Sequence, residues 1–118
     1  MIKKYKSNKW EKFYNNRRSF QKDYGKDVSE GLCELLDSID AATSAYDIKM
    51  IPYFWMHELH FDKEGLYSLS VDNKKTKWRM IVKCLDNNDI WVKPGENETE
   101  FLKSIKTFEL GDFSDHYE

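Results

Sequence analysis

Residues 51–85 read IPYFWMHELHFDKEGLYSLSVDNKKTKWRMIVKCL, and this stretch decides the fold. More apolar side chains alternate with polar ones in two runs, which are Tyr67, Leu69 and Val71, then Trp78, Met80, Val82 and Cys84. A period of two is typical of half-buried β-strands. The pattern predicts strands over 53–59, 66–72 and 77–85, with a turn at Asp72 and Asn73 between the last two. We expect an antiparallel sheet with one face packed on helices and the other face open.

The segments on either side of this stretch predict helices and two more strands. Trp10, Phe13 and Tyr14 share one face of a helix over 8–16, which follows a first strand at 2–6. A second helix over about 26–42 is predicted by an apolar stripe of Val28, Leu32, Leu35, Leu36 and Ile39. Residues 15–26 and 43–47 are interpreted as connections, 86–89 as a turn, 98–106 as a short helix and 107–113 as a last strand. The sequence therefore predicts one α+β domain over 1–118, with two N-terminal helices packed on a small, mostly antiparallel sheet.

Length and composition limit the class of protein. The chain has 118 residues, enough for one domain with one core. No run of 18 apolar residues exists, and the N-terminus MIKKYKSNKW is too polar for a secretory signal, so we expect a cytoplasmic protein without a membrane span. Its two cysteines, Cys33 and Cys84, exclude a CxxC-type zinc motif and are expected to be buried free thiols.

Charge is distributed unevenly along the chain. Residues 1–26 carry nine Lys and Arg against Glu11 and Asp23, a balance of +7, whereas residues 86–118 carry three Lys against nine acids, a balance of −6. A second basic cluster comprises Lys74, Lys75, Lys77 and Arg79. Both basic regions could follow a phosphate backbone, and we predict that the basic N-terminal region and the 74–79 cluster both contact RNA. The alternative is a solvated basic surface that the acidic C-terminal third neutralises.

Three histidines and one arginine are the candidates for chemistry. His57 and His60 are three residues apart, so they lack the spacing of the HExxH zinc helix, and we expect no metal there. His116 lies in the tail beside Tyr117. Imidazole suits proton transfer near neutral pH, although a lone histidine at a strand end is more commonly structural. Arg79 is predicted on the open face, near Ser68 and Ser70, where it would either bind an anion or lie exposed.

Five segments, in order, resemble the RelE/ParE toxin superfamily, and within it the HigB group of type II toxin–antitoxin systems. They are LDSIDAATSAYDI at 36–48, MHEL at 56–59, GLYSLSVDN at 65–73, KWRMIV at 77–82 and FSDHYE at 113–118. The resemblance covers most of residues 1–85 and 107–118. It implies two helices on an antiparallel sheet, whose open face cuts mRNA in the ribosomal A site without a cofactor.

The resemblance also implies which residues would act. Its histidine falls on His57, its lysine position on His60, its strand arginine on Arg79, and its terminal Tyr/His pair on His116 and Tyr117. The sequence departs from the family where His60 replaces a lysine, where Phe61 replaces a glycine, and where the terminal pair is reversed. Residues 86–106 resemble an insertion, and the chain is mildly acidic although such toxins are usually basic.

The expected reaction is attack of a 2′-hydroxyl on the adjacent phosphate, by a metal-independent endoribonuclease. Arg79 would stabilise phosphate charge, His57 and His60 would transfer protons, and His116 or Tyr117 would serve the base or the leaving group. The resemblance implies two partners, mRNA on the ribosome and a HigA-like antitoxin with a helix-turn-helix. The alternatives are a ParE-like gyrase poison and a catalytically inert partner-binding relative.

Overall fold

The computed structural model describes residues 1–60 and 63–117. The strands are β1 (Ile2–Tyr5), β2 (His57–Glu58), β3 (Leu66–Ser70), β4 (Arg79–Leu85) and β5 (Thr107–Ser114). The α-helices are α1 (Asn8–Tyr14), α2 (Arg18–Tyr24), α3 (Lys26–Ala41), α4 (Ala45–Lys49) and α5 (Glu98–Ser104), and a short 3-10 helix covers Pro52–Phe54. This is the α+β class that the sequence predicts.

All five strands form one sheet in the order β1-β5-β4-β3-β2. The β2–β3, β3–β4 and β4–β5 pairs are antiparallel, and β1 joins β5 in parallel. A register shift between Met80 and Val82 marks a β-bulge against β5. The prediction of a mostly antiparallel sheet is therefore confirmed, and the lone parallel pair comes from the N-terminal strand.

The core lies between α3 and one face of the sheet. The predicted stripe on α3 is buried from Val28 to Ile39. On the sheet side, alternation buries Tyr67, Leu69, Met80, Val82, Cys84, Phe108 and Leu110. Both cysteines are free, with Cys84 buried and Cys33 half-buried. The period-two and helical patterns thus predicted the two surfaces that meet. The prediction that the other sheet face is open was wrong for its centre, because Ser68, Ser70, Arg79 and Ile81 on that face are also buried.

Two segments interpreted as connections are helical. In α2, Phe20 is fully buried and anchors an otherwise polar helix. In α4, Ser44 and Asp47 form a capping box, and Ala45 and Ile48 are buried beneath it. The two predicted helices are present as α1 and α3, but the prediction missed α2 and α4, because short helices need only one or two buried side chains each.

The predicted strand over 53–59 is mostly wrong. Pro52 opens the 3-10 helix, and Trp55 ends it with left-handed backbone angles, φ 43° and ψ 48°. A left-handed residue cannot continue a strand, so the ladder starts only at His57. The turn at 72–78 and the last strand are close to their predicted positions.

Candidate functional site

Four of the predicted site residues line one open cleft. Its volume is about 460 Å³, and its lining residues are His57, Glu58, Leu59, His60, Lys63, His116 and Tyr117. His57 and His60 come from β2 and the residues after it, whereas His116 and Tyr117 follow β5. Because β4 and β3 lie between β5 and β2, the cleft joins the C-terminal tail to a strand two places away in the sheet. Residues far apart in sequence therefore meet in a histidine-rich cleft.

Geometry decides which ring nitrogen of a neutral His57 carries the proton. Its Nδ1 lies 2.9 Å from the backbone oxygen of Trp55. A carbonyl oxygen only accepts hydrogen bonds, so Nδ1 carries the proton and donates. In the neutral ring the lone pair is then on Nε2. This is the tautomer in which Nε2 can accept a proton from a substrate hydroxyl.

Trp55 is the site residue that sequence reasoning missed. Its ring stacks against the His57 imidazole, with centroids 4.2 Å apart and planes at 33°. The Lys74 ammonium lies 4.9 Å from the Trp55 ring centre, and the Arg79 guanidinium carbon lies 5.3 Å from it. Cations at such distances are attracted to the π-face of an indole. An indole two residues before a candidate histidine was visible in the sequence, but its contact with the 74–79 cluster depends on the fold.

Arg79 differs from its predicted position in one respect. It pairs with Ser70 across the strands, on the face opposite Met80 as expected, but it is only 5% exposed. One terminal nitrogen donates to the backbone oxygens of Thr76, at 2.7 Å, and Trp78, at 2.9 Å. Arg79 does not line the histidine cleft. The alternative of an exposed arginine is therefore wrong, because Trp55 lies over the guanidinium.

The 72–78 turn is built from buried polar groups. The Ser70 hydroxyl donates to Asp72 at 3.3 Å and accepts from the backbone nitrogen of Lys74 at 2.8 Å. The Asp72 carboxylate accepts from the backbone nitrogen of Thr76 at 3.0 Å, although Asp72 is only 2% exposed. Asn73 and Lys74 have positive φ angles of 55° and 66°. The turn is thus held from within, and it leaves the lysines at 74, 75 and 77 exposed.

The two tail residues have different environments. The His116 side chain is 90% exposed, and its Nε2 lies 3.3 Å from Asp115. The Tyr117 hydroxyl donates to Asp112 at 2.8 Å. Burial, followed by that hydrogen bond and the charge of Asp112, raises the pKa of Tyr117 to about 12. Tyr117 therefore remains protonated near neutral pH and acts as a hydrogen-bond donor.

Asp112 holds the tail in place. Besides Tyr117 it accepts from the Lys6 ammonium at 3.0 Å. Burial acts to raise the pKa of Asp112, but the hydrogen bonds from Tyr117 and Lys6 outweigh it, and the pKa is lowered. The carboxylate is therefore charged near neutral pH, and it holds the Tyr117 phenol of the tail against β5.

Replacing Asp112 by asparagine should lower the pKa of Tyr117 from about 12 toward its ordinary value of 10. The amide can still accept the phenol hydrogen bond, but it removes the negative charge that disfavours the phenolate. An NMR titration of ring-labelled tyrosine measures the shift. The control is Tyr24, whose pKa is raised by burial and by Asp23 and should be the same in both proteins. A Tyr117 pKa unchanged in Asp112→Asn would contradict the assigned contact.

Part of the basic N-terminal region is neutralised within the chain. Four ion pairs join this region to acidic side chains: Lys3 to Asp40, Lys4 to Asp89, Lys6 to Asp112 and Arg17 to Asp37, at 2.9, 3.7, 3.0 and 2.8 Å. These contacts favour a neutralised basic surface over a continuous RNA-binding arm. Only Asp89 and Asp112 belong to the C-terminal third that was expected to supply the acids, whereas Asp37 and Asp40 lie in α3. The exposed lysines of the 74–79 cluster remain the better candidates for contact with a nucleic acid.

The described residues form neither a group suited to a metal ion nor a helix suited to a membrane. Within residues 1–60 and 63–117, no three His, Cys, Asp or Glu side chains are grouped so that they could hold a metal ion. None of the helices in this described part is long and apolar enough to cross a membrane.

Phe61, one of the positions where the sequence departs from the toxin family it resembles, lies outside the described residues. Comparison with models of protein families and with curated proteins finds no match to this chain.

Proposed function

We propose that this chain is an endoribonuclease that cuts mRNA on the ribosome, as the toxin of a type II toxin–antitoxin system. The observation that carries the proposal is the convergence of His57, His60, His116 and Tyr117 on one cleft. An open cleft with several imidazoles and a phenol holds the groups that acid–base cleavage of a phosphodiester requires. The resemblance of the five sequence segments to HigB toxins is the reason for proposing that the cleaved mRNA is on the ribosome and that the protein acts in the cytoplasm.

The His57 tautomer supports a role as the base. Nε2 of His57 accepts the proton of a ribose 2′-hydroxyl, and the 2′-oxygen attacks the adjacent phosphorus. The bond from phosphorus to the 5′-oxygen then breaks, and the protonated imidazole of His60 or His116 gives its proton to that oxygen. The products are a 2′,3′-cyclic phosphate and a free 5′-hydroxyl. Tyr117 stays protonated. When the substrate binds, a phosphate oxygen replaces the Asp112 carboxylate as the acceptor of the Tyr117 hydrogen bond.

The basic residues beside the cleft support phosphate binding. Lys74 lies over Trp55, the same ring that stacks on His57, so its charge is close to the proposed base. Lys75 and Lys77 are exposed on the same turn. We assign two roles to Arg79. Its guanidinium contributes positive charge from beneath Trp55. It also holds the turn in position, because one of its nitrogens donates to two backbone oxygens of the turn. Fixed cations stabilise the charge that grows on the phosphate in the transition state.

The burial of Arg79 favours one rival, the inert partner-binding relative. A guanidinium that fastens a turn could persist without any catalytic task. Under this rival the chain would still bind an antitoxin but would not cut RNA. The gyrase poison has no specific observation in its favour, and it enters only as an outcome of the test.

The test is expression of the chain in growing bacteria, with sequencing of mRNA 5′ ends. Purified ribosome complexes then receive a message with one 2′-deoxy nucleotide at the cut site. We expect growth arrest, new 5′ ends within coding regions, and no cutting at the deoxy position because the nucleophile is missing. Cutting of the deoxy message would refute the proposed chemistry. Growth arrest with a DNA-damage response and intact mRNA would support gyrase poisoning, and unimpaired growth would support the inert relative.

The antitoxin is the second part of the proposal. Neutralisation by a tightly bound antitoxin is implied by the resemblance and is tested by co-expression with the product of the adjacent reading frame. A stable complex on gel filtration that restores growth is expected. Separate elution of the two chains would contradict the assignment to a toxin–antitoxin pair.

A further inference from the structure

A second aromatic and cationic surface lies on the same face of the sheet, beside Leu66, Ile81 and Lys83. Trp91 comes from the segment that resembles an insertion, and it is 38% exposed. The ammonium of Lys83 lies 4.5 Å from the Trp91 ring centre, and that of Lys93 lies 5.0 Å from it. Lys83 belongs to β4 and Lys93 to the residues after Trp91, so the sheet and the insertion each supply one cation.

The indole of Trp91 is fixed in place. Its ring nitrogen donates to the backbone oxygen of Gly65 at 3.3 Å. An isolated β-bridge joins Trp91 to Leu85. The backbone N–H of the next residue, Val92, donates to the backbone oxygen of Cys84 at 3.0 Å. A large aromatic side chain held this way, yet left partly exposed, can contact a ligand without losing side-chain freedom of its own.

A cavity adjoins the ring. Its volume is about 230 Å³, and Leu66, Ile81 and Val82 are among its apolar lining residues. Pockets for drug-sized ligands are roughly 300–1,000 Å³, so this cavity suits a single flat ring. Its polar lining residues are Lys6, Lys83, Glu109, Asp112 and Tyr117. Asp112 is bound by Lys6 and Tyr117, and Glu109 lies 3.9 Å from Lys83, so both acids have cations close by.

Tyr117 connects this cavity to the histidine cleft, because it lines both. We propose that Trp91, Lys83 and Lys93 form a second nucleotide subsite, where one base of single-stranded RNA stacks on the indole beside the cavity. The base takes the place of an ammonium group over the ring, and the lysines turn from the indole to the flanking phosphates. This inference rests on the proposed function for its substrate class, and it adds where a nucleotide next to the cleavage point would lie.

The chemistry of the surface favours a nucleotide over other ligands. Every base has a π-face that can stack on an indole, and every phosphate can pair with an ammonium group. A surface with one fixed indole and two lysines can therefore bind both the base and the phosphate of a nucleotide. Loss of the indole removes the stacking contact with one base and should weaken binding on the order of tenfold.

The test uses a probe that cannot be cut. It is a 2′-O-methyl hexaribonucleotide with a fluorescent label, whose binding to the full chain is measured by anisotropy. We expect Trp91→Ala to weaken binding about tenfold and Trp91→Phe, which keeps a stacking ring, to stay within about threefold. The matched control is Ile90→Ala, because Ile90 is 59% exposed in the same segment and should change nothing. Thermal unfolding of each variant verifies that the fold persists.

A second probe separates the base from the phosphates. A hexamer of the same length with abasic sugars keeps the charge but has no base to stack. Trp91→Ala should leave its affinity unchanged, whereas Lys83→Ala and Lys93→Ala should weaken both probes. If Trp91→Ala weakened the two probes equally, or weakened neither, the base subsite would be refuted. Absence of wild-type binding to the base-containing probe would refute it as well.

Failure of this inference is distinguishable from failure of the proposed function. Binding of the uncuttable probe does not depend on proton transfer. A protein that cuts mRNA but shows no dependence on Trp91 would keep its function and lose this subsite. A protein that cuts no RNA but binds the probe through Trp91 would keep the subsite as a single-stranded RNA site and lose the proposed reaction.

Discussion

Replacement of Gly31 by alanine is expected to destabilise this fold severely. Gly31 lies in α3, where the helix crosses the end of β3. A methyl group at this position would lie 1.6 Å from the backbone oxygen of Val71 and 2.7 Å from its carbonyl carbon. Neither backbone can move without shifting a whole element. We therefore expect a loss of at least about 3 kcal/mol in the free energy of unfolding, measured by urea denaturation.

The sign of this effect is informative, because helix propensity alone predicts the opposite. In an open helix, alanine is more stable than glycine by about 1 kcal/mol. The matched control is Gly95→Ala, since nothing lies within 4 Å of the added methyl and the φ angle is not positive. It should change stability by no more than about 0.5 kcal/mol. If Gly31→Ala were as stable as this control, the close packing of α3 on β3 would be wrong.

The long, strongly patterned segments were predictable from the sequence. The stripe on α3 and the alternation on β3 and β4 each depend on local spacing, and the apolar residues they mark are buried, although Ser68, Ser70 and Ile81 on the other face of the strands are buried as well. The short helices were not, because α2 depends on the single buried side chain of Phe20 and α4 on the Ser44–Asp47 box. A box of this kind is readable in the sequence, whereas the burial of Phe20 is decided by distant elements.

The candidate site was predictable in its parts but not in its arrangement. Alternation placed Arg79 on the correct face of its strand, yet the burial of Arg79 under Trp55 depends on a left-handed residue that is not a glycine. No local pattern indicates that conformation. Likewise, the union of His57 with Tyr117 in one cleft depends on the sheet order, since β4 and β3 lie between β5 and β2. Local pattern predicts which residues share a face, and topology decides which of them meet.

Loss of RNA cleavage in His57→Asn is the largest functional effect that we expect. The asparagine amide nitrogen occupies nearly the position of Nδ1, so it can still donate to the Trp55 carbonyl that His57 binds at 2.9 Å. Asparagine has no counterpart to Nε2, so the proposed base is lost and the anchor is kept. General base catalysis contributes about 10²–10⁴ in rate, and cleavage of ribosome-bound mRNA should fall by that factor.

The comparison with His57→Gln separates catalysis from anchoring. Glutamine places its amide near Nε2 and loses the contact with the Trp55 carbonyl, so it should be less stable than His57→Asn. Both variants should be inactive if Nε2 is the base, whereas a purely structural His57 would leave His57→Asn active and only His57→Gln impaired. Gln21→Ala, on an exposed position of α2, is the control for the assay and should cut at the wild-type rate. A folded His57→Asn that cuts mRNA at a rate close to wild type would remove His57 from the mechanism, and with it the argument from its tautomer.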